Sequence, residues 1–315
     1  MSIRTAVSFE DAARERACTY VAGATDLMPL FKSGVRDDAH LVLLRDVPEL
    51  GGIAEEDGCI VIGAGVTLAE LAESPLVRSA LPALAQAALA VASPQIRALA
   101  TLGGNVMQDR RCIYFNQSRA WRAALPPCYK TGGSVCHQIP NSPVCRALYY
   151  SDTATALICY DAEAVFAEDG AEKRGRVEAL VARHAEANGL ACARHLPVLL
   201  KAFRIPRPPA GERSGFYKYA MRASIDFPLI NFALRCGPAG ARLVAGAVAP
   251  RPCVLEETAA LLHAGASDDE VAAACEAELR RLAAPVREAL ISPAMKRSLY
   301  RHVRFLLPLR RGEAD

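Results

Sequence analysis

Four cysteines lie in an irregular stretch near the middle of the chain, separated as C-x15-C-x7-C-x8-C. They are Cys112, Cys128, Cys136 and Cys145, and the segment around them is rich in Gly, Pro, Ser and Asn. Long loops without regular structure are uncommon in compact domains, and something must offset the entropy that is lost when they become ordered. Bonds from four thiolates to metal would do so, which makes these cysteines candidate metal ligands.

The spacing favours some metal centres over others. Zinc sites usually contain close pairs such as C-x2-C, and no such pair occurs here, although His137 beside Cys136 could complete a Cys3His site. Two disulfides are geometrically possible but do not suit a reducing compartment. Thiolates from well-separated positions suit a cubane [4Fe–4S] cluster, whose core is large. We expect such a cluster, with zinc and disulfides as open alternatives, and we expect His137 to hydrogen-bond to a neighbour.

The composition is that of an ordinary folded protein. Of 315 residues, 52% are hydrophobic and 23% are charged, and the net charge is +3. This charge is too small to indicate binding to nucleic acid or to an anionic membrane. No apolar run approaches the ~20 residues of a spanning helix, and acidic residues near the start do not fit a secretion signal. We therefore predict a cytoplasmic protein.

Most of the remaining cysteines and histidines are expected to have no chemical role. Seven cysteines are scattered among apolar neighbours and are predicted to be buried as small apolar side chains. They are Cys18, Cys59, Cys159, Cys192, Cys236, Cys253 and Cys275. Four histidines in polar or helical contexts are predicted to lie on the surface, namely His184, His195, His263 and His302.

The hydrophobic pattern divides the chain into three units, 1–55, 56–210 and 211–315. Periodicity fails from 107 to 150, and we interpret this segment as a loop inserted in the second unit. The alternation of strands and helices suits an α/β or α+β protein. Ser8 and Thr67 are expected to begin helices, and Pro94 is expected to end one.

Two turns rich in small residues could contact a ligand through their backbone. "AGATDL" covers Ala22–Leu27 and "TLGGN" covers Thr101–Asn105. Such turns let backbone N–H groups approach a pyrophosphate closely, although either turn alone is typical of an ordinary tight connection. "GAGVTL" lacks the third glycine of a dinucleotide fingerprint, so a Rossmann fold has little support.

Taken together, these segments resemble the FAD-binding medium subunit of the xanthine dehydrogenase family of molybdenum hydroxylases. "VAGATDLMPLFKSG" and "QIRALATLGGNV" resemble that family's two FAD loops, and "SDTATALICYDAEAVF" resembles the segment that follows. "FYKYAMRASIDFPLINFAL" and "VAGAVAPRPCVLEETAALL" resemble its C-terminal domain. The resemblance implies an α+β protein, with a two-subdomain FAD-binding fold of the PCMH/VAO type. A C-terminal α+β domain, made of an antiparallel sheet plus helices, would follow.

The resemblance also implies which residues bind the cofactor. Asp152 and Lys218 would lie near the flavin. One departure is Ala24, which stands where the family generally has a second glycine and which tolerates a positive φ poorly. The pyrophosphate and ribityl chain would be held by Ala22, Gly23, Ala24, Thr25, Asp26, Leu27, Thr101, Gly103, Gly104 and Asn105.

One branch of this family, the β subunit of 4-hydroxybenzoyl-CoA reductase, carries a [4Fe–4S] cluster in an inserted loop at this point. The four cysteines here are similarly spaced, and "CIYFNQSRAWR" is similar to that branch. The resemblance implies a dimer of heterotrimers, with a molybdopterin-containing large subunit and a small subunit that carries two [2Fe–2S] clusters. Ferredoxin would donate electrons at the inserted loop. Trp121 and Tyr129 are expected to pack this loop rather than to relay electrons.

Two other interpretations remain open. The chain could be the medium subunit of a related dehydrogenase, acting on a purine, nicotinate or another CoA ester, with electrons leaving through the loop. From a different class, it could be a non-redox binding module that zinc stabilises. In either redox interpretation the chain contributes no catalytic residue of its own, since substrate chemistry takes place on a partner subunit.

Overall fold

A computed structural model describes residues 2–189, 196–288 and 291–312. No helix in these ranges is long and apolar enough to cross a membrane. The strands are β1 Ser2–Thr5, β2 Thr19–Val21, β3 His40–Leu43, β4 Ile53–Glu56, β5 Cys59–Gly63, β6 Glu163–Glu168, β7 Ala171–Arg176, β8 Val198–Pro206, β9 Arg213–Tyr219, β10 Ile230–Gly237, β11 Gly240–Gly246 and β12 Cys253–Val254.

The helices are mostly short. They are α1 Phe9–Ala13, α2 Leu27–Lys32, α3 Leu68–Glu73, α4 Pro75–Ala80, α5 Pro82–Leu89, α6 Pro94–Arg97, α7 Leu102–Val106, α8 Arg119–Ala123, α9 Asp152–Cys159, α10 Val177–Ala187, α11 Glu256–His263, α12 Asp268–Leu282 and α13 Pro293–Ser298. 3₁₀ helices cover Pro48–Leu50, Tyr129–Thr131 and Leu299–Arg311. Helices and separate sheets together confirm the predicted α+β class.

The first sheet is small and parallel, with strand order β1-β3-β2. The Ser8 side chain accepts a hydrogen bond from the Asp11 backbone N–H and caps α1, as its position in the sequence predicts. The loop between β2 and α2 contains the first of the two turns, Ala22–Leu27. The sheet and its helices therefore place that turn at the carboxyl end of β2.

The second sheet has five antiparallel strands in the order β4-β5-β8-β6-β7. Its largest apolar cluster includes Ile60, Leu84, Leu157 and Phe203, so α5 and α9 share one core with the strands. Thr67 begins α3 with a capping box that Glu70 completes, which confirms the predicted helix start. Strand β4 crosses the domain boundary predicted at residue 55.

Two local expectations were wrong. Pro94 was expected to end a helix, but α5 already ends at Leu89 and Pro94 occupies the first turn of α6 behind the Ser93 cap. Proline suits that position because the first turn has no intrahelical use for its missing N–H. The "TLGGN" turn contains a short helix, α7, because the Thr101 side chain caps it by accepting from the Gly104 N–H at 3.1 Å.

The third sheet is antiparallel, with order β12-β11-β10-β9, and α11 and α12 pack against it. Its core joins Phe232 and Leu243 of the sheet to Val271 and Leu279 of α12. This arrangement of an antiparallel sheet with helices is the one predicted for the C-terminal domain.

The segment 107–150 is irregular apart from α8 and one 3₁₀ turn. Two backbone hydrogen bonds between Arg111 and Leu148, at 2.8 and 2.9 Å, close its base. Ile139 packs against a small buried cluster that includes Ala247 and Val286 of the C-terminal domain. The insertion is therefore a closed loop that rests on both neighbouring domains.

Five of the nine scattered cysteines and histidines that the structure describes lie where the sequence predicts. Cys159, Cys236, Cys253 and Cys275 are buried, whereas Cys18 and Cys59 are only half-buried. Cys192 and His195 lie outside the described residues. His263 is exposed and His302 is half-buried. His184 was predicted to lie on the surface, but it has 0% exposure and its Nε2 lies 3.0 Å from the carbonyl oxygen of Gln108.

A buried ion pair joins the second sheet's helices to the C-terminal sheet. Lys218 Nζ on β9 lies 2.9 Å from Asp152 Oδ2 at the start of α9, with side-chain exposures of 12% and 3%. Lys218 also donates to the carbonyl oxygen of Ala90 at 2.8 Å, and Asn231 Nδ2 donates to Asp152 Oδ1 at 2.5 Å. Burial raises the pKa of Asp152, and the Lys218 ammonium opposes that rise.

Replacing Lys218 by methionine should be strongly destabilising, because the Asp152 carboxylate would lose its cation inside the protein. We expect Lys218→Met to lower the apparent free energy of unfolding in urea by about 3 kcal/mol. Adding Asp152→Asn should recover part of this loss. As a control, Lys173→Met breaks the exposed pair with Glu168 and should cost under about 1 kcal/mol. Equal effects of Lys218→Met and Lys173→Met would contradict this account.

Candidate functional site

A large cavity brings the two turns together. Its volume is about 430 Å³, within the ~300–1,000 Å³ that is typical of pockets for small ligands. All six residues of Ala22–Leu27 line it, together with Thr101, Gly103 and Gly104 of the second turn. Leu196–Leu200, at the start of β8, forms another part of the wall. The cavity thus has the size of a ligand pocket, and both turns form part of its wall.

Two glycines are required by close backbone contacts at the cavity wall. A Cβ on Gly23 would lie 1.8 Å from the carbonyl oxygen of Leu99, and one on Gly103 would lie 2.9 Å from Ala64 Cβ. Any larger residue at Gly23 would push the two turns apart. Ala24 has φ of +57°, the left-handed conformation that its family position suggests, and alanine tolerates this at a cost of ~1 kcal/mol.

The first turn presents backbone donors to the cavity. None of the N–H groups of residues 23–26 donates a hydrogen bond to another residue that the structure describes. These residues are half-buried, so water reaches their donors only in part. Half-buried N–H groups without protein partners normally have a ligand or water as acceptor, and successive N–H groups of this kind bind anions. The turn therefore fits a phosphate group.

Three predicted site residues do not line the cavity as the structure describes it. Asn105 Oδ1 accepts hydrogen bonds from the hydroxyls of Ser151 and Thr153, both at 2.7 Å, at the start of α9. Asp152 and Lys218 form the ion pair described above. Their proximity to the flavin stays a prediction.

Asp26 connects the cavity to the base of the inserted loop. One oxygen of its carboxylate pairs with the guanidinium of Arg111, and the other accepts from the backbone N–H of Asp109 at 3.2 Å. Arg111 immediately precedes Cys112. The first turn and the cysteine loop are therefore in direct contact.

The four loop cysteines lie around one smaller cavity. Cys112, Cys128, Cys136 and Cys145 all line it. The described cysteines form no disulfide, so the pairing that the spacing left open is not observed. Four segments of the inserted loop therefore bring four free thiols to one place.

Hydrogen bonds to sulfur suit thiolates better than thiols, which are weak acceptors. The backbone N–H groups of Tyr114 and Ala147 lie 3.4 and 3.5 Å from the sulfurs of Cys112 and Cys145. Burial raises the pKa of Cys112, and the N–H of Tyr114 opposes this rise. A positive centre between the thiols would overcome the effect of burial, because a coordinated thiol is deprotonated.

Within the described ranges, no group of three or more His, Cys, Asp or Glu side chains is placed to bind one metal ion. His137 Nε2 lies 2.8 Å from the carbonyl oxygen of Pro126, so it hydrogen-bonds to a neighbour as expected. The four thiols share one cavity, and the metal that they bind stays a prediction.

The aromatic residues of the loop have different environments. Tyr129 donates from its hydroxyl to the carbonyl oxygen of Ser142 at 3.0 Å and thus braces the loop. Trp121 is 43% exposed and contacts the ring of Tyr114, with centroids 6.1 Å apart. Tyr129 therefore stabilises the loop through its contacts, whereas Trp121 leaves part of its apolar ring exposed to solvent.

A buried polar network between the two cavities was not found from the sequence. Asn188, which caps α10, donates to Asp109 Oδ1 at 2.6 Å and accepts from the Arg110 N–H at 2.8 Å. It also accepts from Lys130 Nζ at 3.1 Å. The sequence signal for this network was the polar run 108–111, which follows an apolar helix. Its partner, Asn188, lies nearly eighty residues further along the chain.

Comparison with known proteins identifies the family. Residues 2–208 match the family model of the FAD binding domain in molybdopterin dehydrogenase. The chain is 31% identical to the aldehyde oxidoreductase FAD-binding subunit PaoB of Escherichia coli K12, over 81% of this chain and 82% of that protein. It is 41% identical to the carbon monoxide dehydrogenase medium chain of Hydrogenophaga pseudoflava over 86 residues, which span 27% of this chain and 30% of that one.

Solved structures show the same fold. Carbon monoxide dehydrogenase from Hydrogenophaga pseudoflava contains a chain that superposes with a TM-score of 0.75 and 20% identity, covering 99% of this chain and 98% of that chain. A chain of quinoline 2-oxidoreductase from Pseudomonas putida 86 has a TM-score of 0.74 at 19% identity and covers 100% and 98% of the two chains. The chain therefore belongs to the FAD-binding medium subunits of the xanthine dehydrogenase and carbon monoxide dehydrogenase family.

Proposed function

We propose that this chain is the electron-transfer subunit of a 4-hydroxybenzoyl-CoA reductase, carrying both FAD and a [4Fe–4S] cluster. It would pass electrons from ferredoxin through the cluster and FAD toward the [2Fe–2S] clusters of a small subunit and the molybdopterin cofactor of a large one. The phenolic hydroxyl of the CoA thioester would be removed at molybdenum, and the complex would be a dimer of heterotrimers. The observation that carries the proposal is the arrangement of four free cysteines around one cavity beside the first turn.

The residues that line the larger cavity are suited to binding FAD. The N–H groups of residues 23–26 would bind the pyrophosphate, and Gly23 and Gly103 let both turns approach it. Thr101 and Gly104 would complete the wall on the opposite side. Asn105 would act from behind by fixing the start of α9 against the second turn, and Asp152 by fixing it to the C-terminal sheet.

The cysteine cavity fits a cluster for two reasons. It contains four thiols, and backbone N–H groups lie near the sulfurs of Cys112 and Cys145. A cubane has one iron at each of four corners, so its ligands surround a volume rather than a point. The inserted loop of the related reductase subunit, with similarly spaced cysteines, points to the same cofactor.

The surface of the loop suits an acidic electron donor. Of the six Arg and Lys side chains in residues 107–150, Arg110 and Lys130 are buried, and so is Asp109, the one acidic side chain. The four that are wholly or partly exposed are Arg111, Arg119, Arg122 and Arg146. Arg119, Trp121 and Val144 are exposed on this loop. A positive rim around apolar side chains would steer and seat an acidic ferredoxin.

The alternatives have less support. A related dehydrogenase that sends electrons outward would share every feature of the fold, so only the reaction of the whole complex separates it from our proposal. A non-redox zinc module is not favoured, because the chain belongs to an FAD-binding family and because His137 Nε2 is already hydrogen-bonded.

Gly23→Ala should weaken FAD binding by at least tenfold, because the new Cβ would clash with the Leu99 carbonyl and shift the first turn, which lines the cavity. Fluorescence titration of deflavinated complex with FAD measures the affinity. Gly175→Ala is the matched control, since its Cβ would meet only Phe166 at 3.8 Å. Unchanged affinity in Gly23→Ala would show that the two turns do not form the binding site.

Cys136→Ser should remove about one cluster of iron per chain and leave FAD bound, because one corner of the cubane would lose its thiolate. Iron and acid-labile sulfide are measured in the anaerobically purified complex. Cys59→Ser alters a cysteine that is also half-buried but lies in β5, and it should retain all iron. Full iron content in Cys136→Ser would refute the assignment of this ligand.

The whole complex should convert 4-hydroxybenzoyl-CoA to benzoyl-CoA when it receives electrons from reduced ferredoxin or a reduced viologen. Product formation is followed by chromatography under anaerobic conditions. Oxidation of a purine, nicotinate or another CoA ester, without dehydroxylation, would favour the related dehydrogenase instead.

A further inference from the structure

Lys130 is a fully buried lysine with no carboxylate partner. Its side chain is 1% exposed, and its ammonium donates to the carbonyl oxygen of Arg110 at 2.6 Å and to Asn188 Oδ1 at 3.1 Å. It also lies 4.2 Å from the ring centre of Phe115. Among the described residues it forms no salt bridge, although lysine is almost never fully buried unless it is paired. Its charge therefore needs another source of compensation.

Arg110, at the base of the loop, is also a buried cation. It is 3% exposed, and its Nη1 donates to the carbonyl oxygens of Cys145 and Ala147 at 3.4 and 3.1 Å. Its Nε is buried and has no hydrogen-bond partner in the part of the chain that the structure describes. The hydrogen bonds from these two buried cations are thus accepted mainly by neutral carbonyl oxygens.

The nearby carboxylate is shared with other donors. Asp109 is buried, but Asn188 donates to it at 2.6 Å and the Arg36 guanidinium lies 3.7 Å from its Oδ2. Lys130 itself lines the cysteine cavity. The thiolates around that cavity are therefore a second source of negative charge beside the buried ammonium.

We propose that Lys130, supported by Arg110, is a positioning residue that sets the reduction potential of the centre bound by the four cysteines. This inference rests on the proposed function. A cluster held by four thiolates is anionic, and reduction adds one electron to it. A fixed positive charge in a low-dielectric interior stabilises the reduced form more than the oxidised form. Lys130 therefore raises the potential and makes the centre easier to reduce.

Potentiometric titration of the anaerobically purified complex, followed by electron paramagnetic resonance, tests this. The signal of this chain's cluster is the one that Cys136→Ser lacks. In Lys130→Met, which keeps the length of the side chain but removes its charge, we expect the reduction equilibrium to fall at least tenfold, about 59 mV for one electron. Iron and FAD content should be retained, and Lys130→Arg should remain close to the wild type.

Lys296 provides a matched control. It is equally buried, with 0% exposure, but its ammonium pairs with the carboxylate of Glu288 and donates to the carbonyl oxygen of Ala247 at 2.7 Å. Lys296→Met should therefore change stability without changing the cluster potential.

Each outcome decides the inference. An unchanged potential in iron-replete Lys130→Met would overturn it, and so would loss of iron from both Lys130→Met and Lys130→Arg. Loss of iron from Lys130→Met that Lys130→Arg restores would support a requirement for the charge. A wild-type complex without the cluster signal would defeat the proposed function itself, before any variant is compared.

Discussion

The carboxylate of Asp26 holds the two candidate cofactor sites together. It belongs to the turn that lines the larger cavity, yet it pairs with Arg111 and accepts from the N–H of Asp109 at the base of the cysteine loop. A flexible insertion could otherwise adopt many positions relative to the FAD-binding fold. This contact and the bridge between Arg111 and Leu148 fix the insertion where it leaves and rejoins the fold.

The interior between the cavities is unusually polar. Asn188 is completely buried and hydrogen-bonds to residues 109, 110 and 130. It therefore connects the end of α10 to the base of the inserted loop and to Lys130. Burying such groups is costly unless every one of them is satisfied. An apolar core of similar size would stabilise the loop without this desolvation cost. The polar network is therefore better explained as part of a functional site.

Local patterns explain what the sequence could predict. Ser8 and Thr67 begin helices because their side chains cap the first turn, and this depends only on neighbours three residues away. The glycine turns were recognised because close backbone approach requires small residues. The spacing of the four cysteines indicated a common site, and the structure places them around one cavity.

Long-range contacts explain what the sequence could not predict. His184 lies in a helix with polar neighbours, so its complete burial depends on packing against Gln108, 76 positions earlier. The short helix α7 contains two glycines, which disfavour helix, and it forms because Thr101 caps it and Ala64 accepts from the Gly103 N–H. The buried position of Lys130 likewise depends on Asn188, 58 residues away.

The most direct test is anomalous diffraction from crystals of the anaerobically purified complex, recorded on both sides of the iron absorption edge. Our account predicts an iron peak of cubane size enclosed by Cys112, Cys128, Cys136 and Cys145, with FAD in the neighbouring cavity along Ala22–Leu27. Absence of iron between these sulfurs, or a single zinc ion in its place, would contradict it.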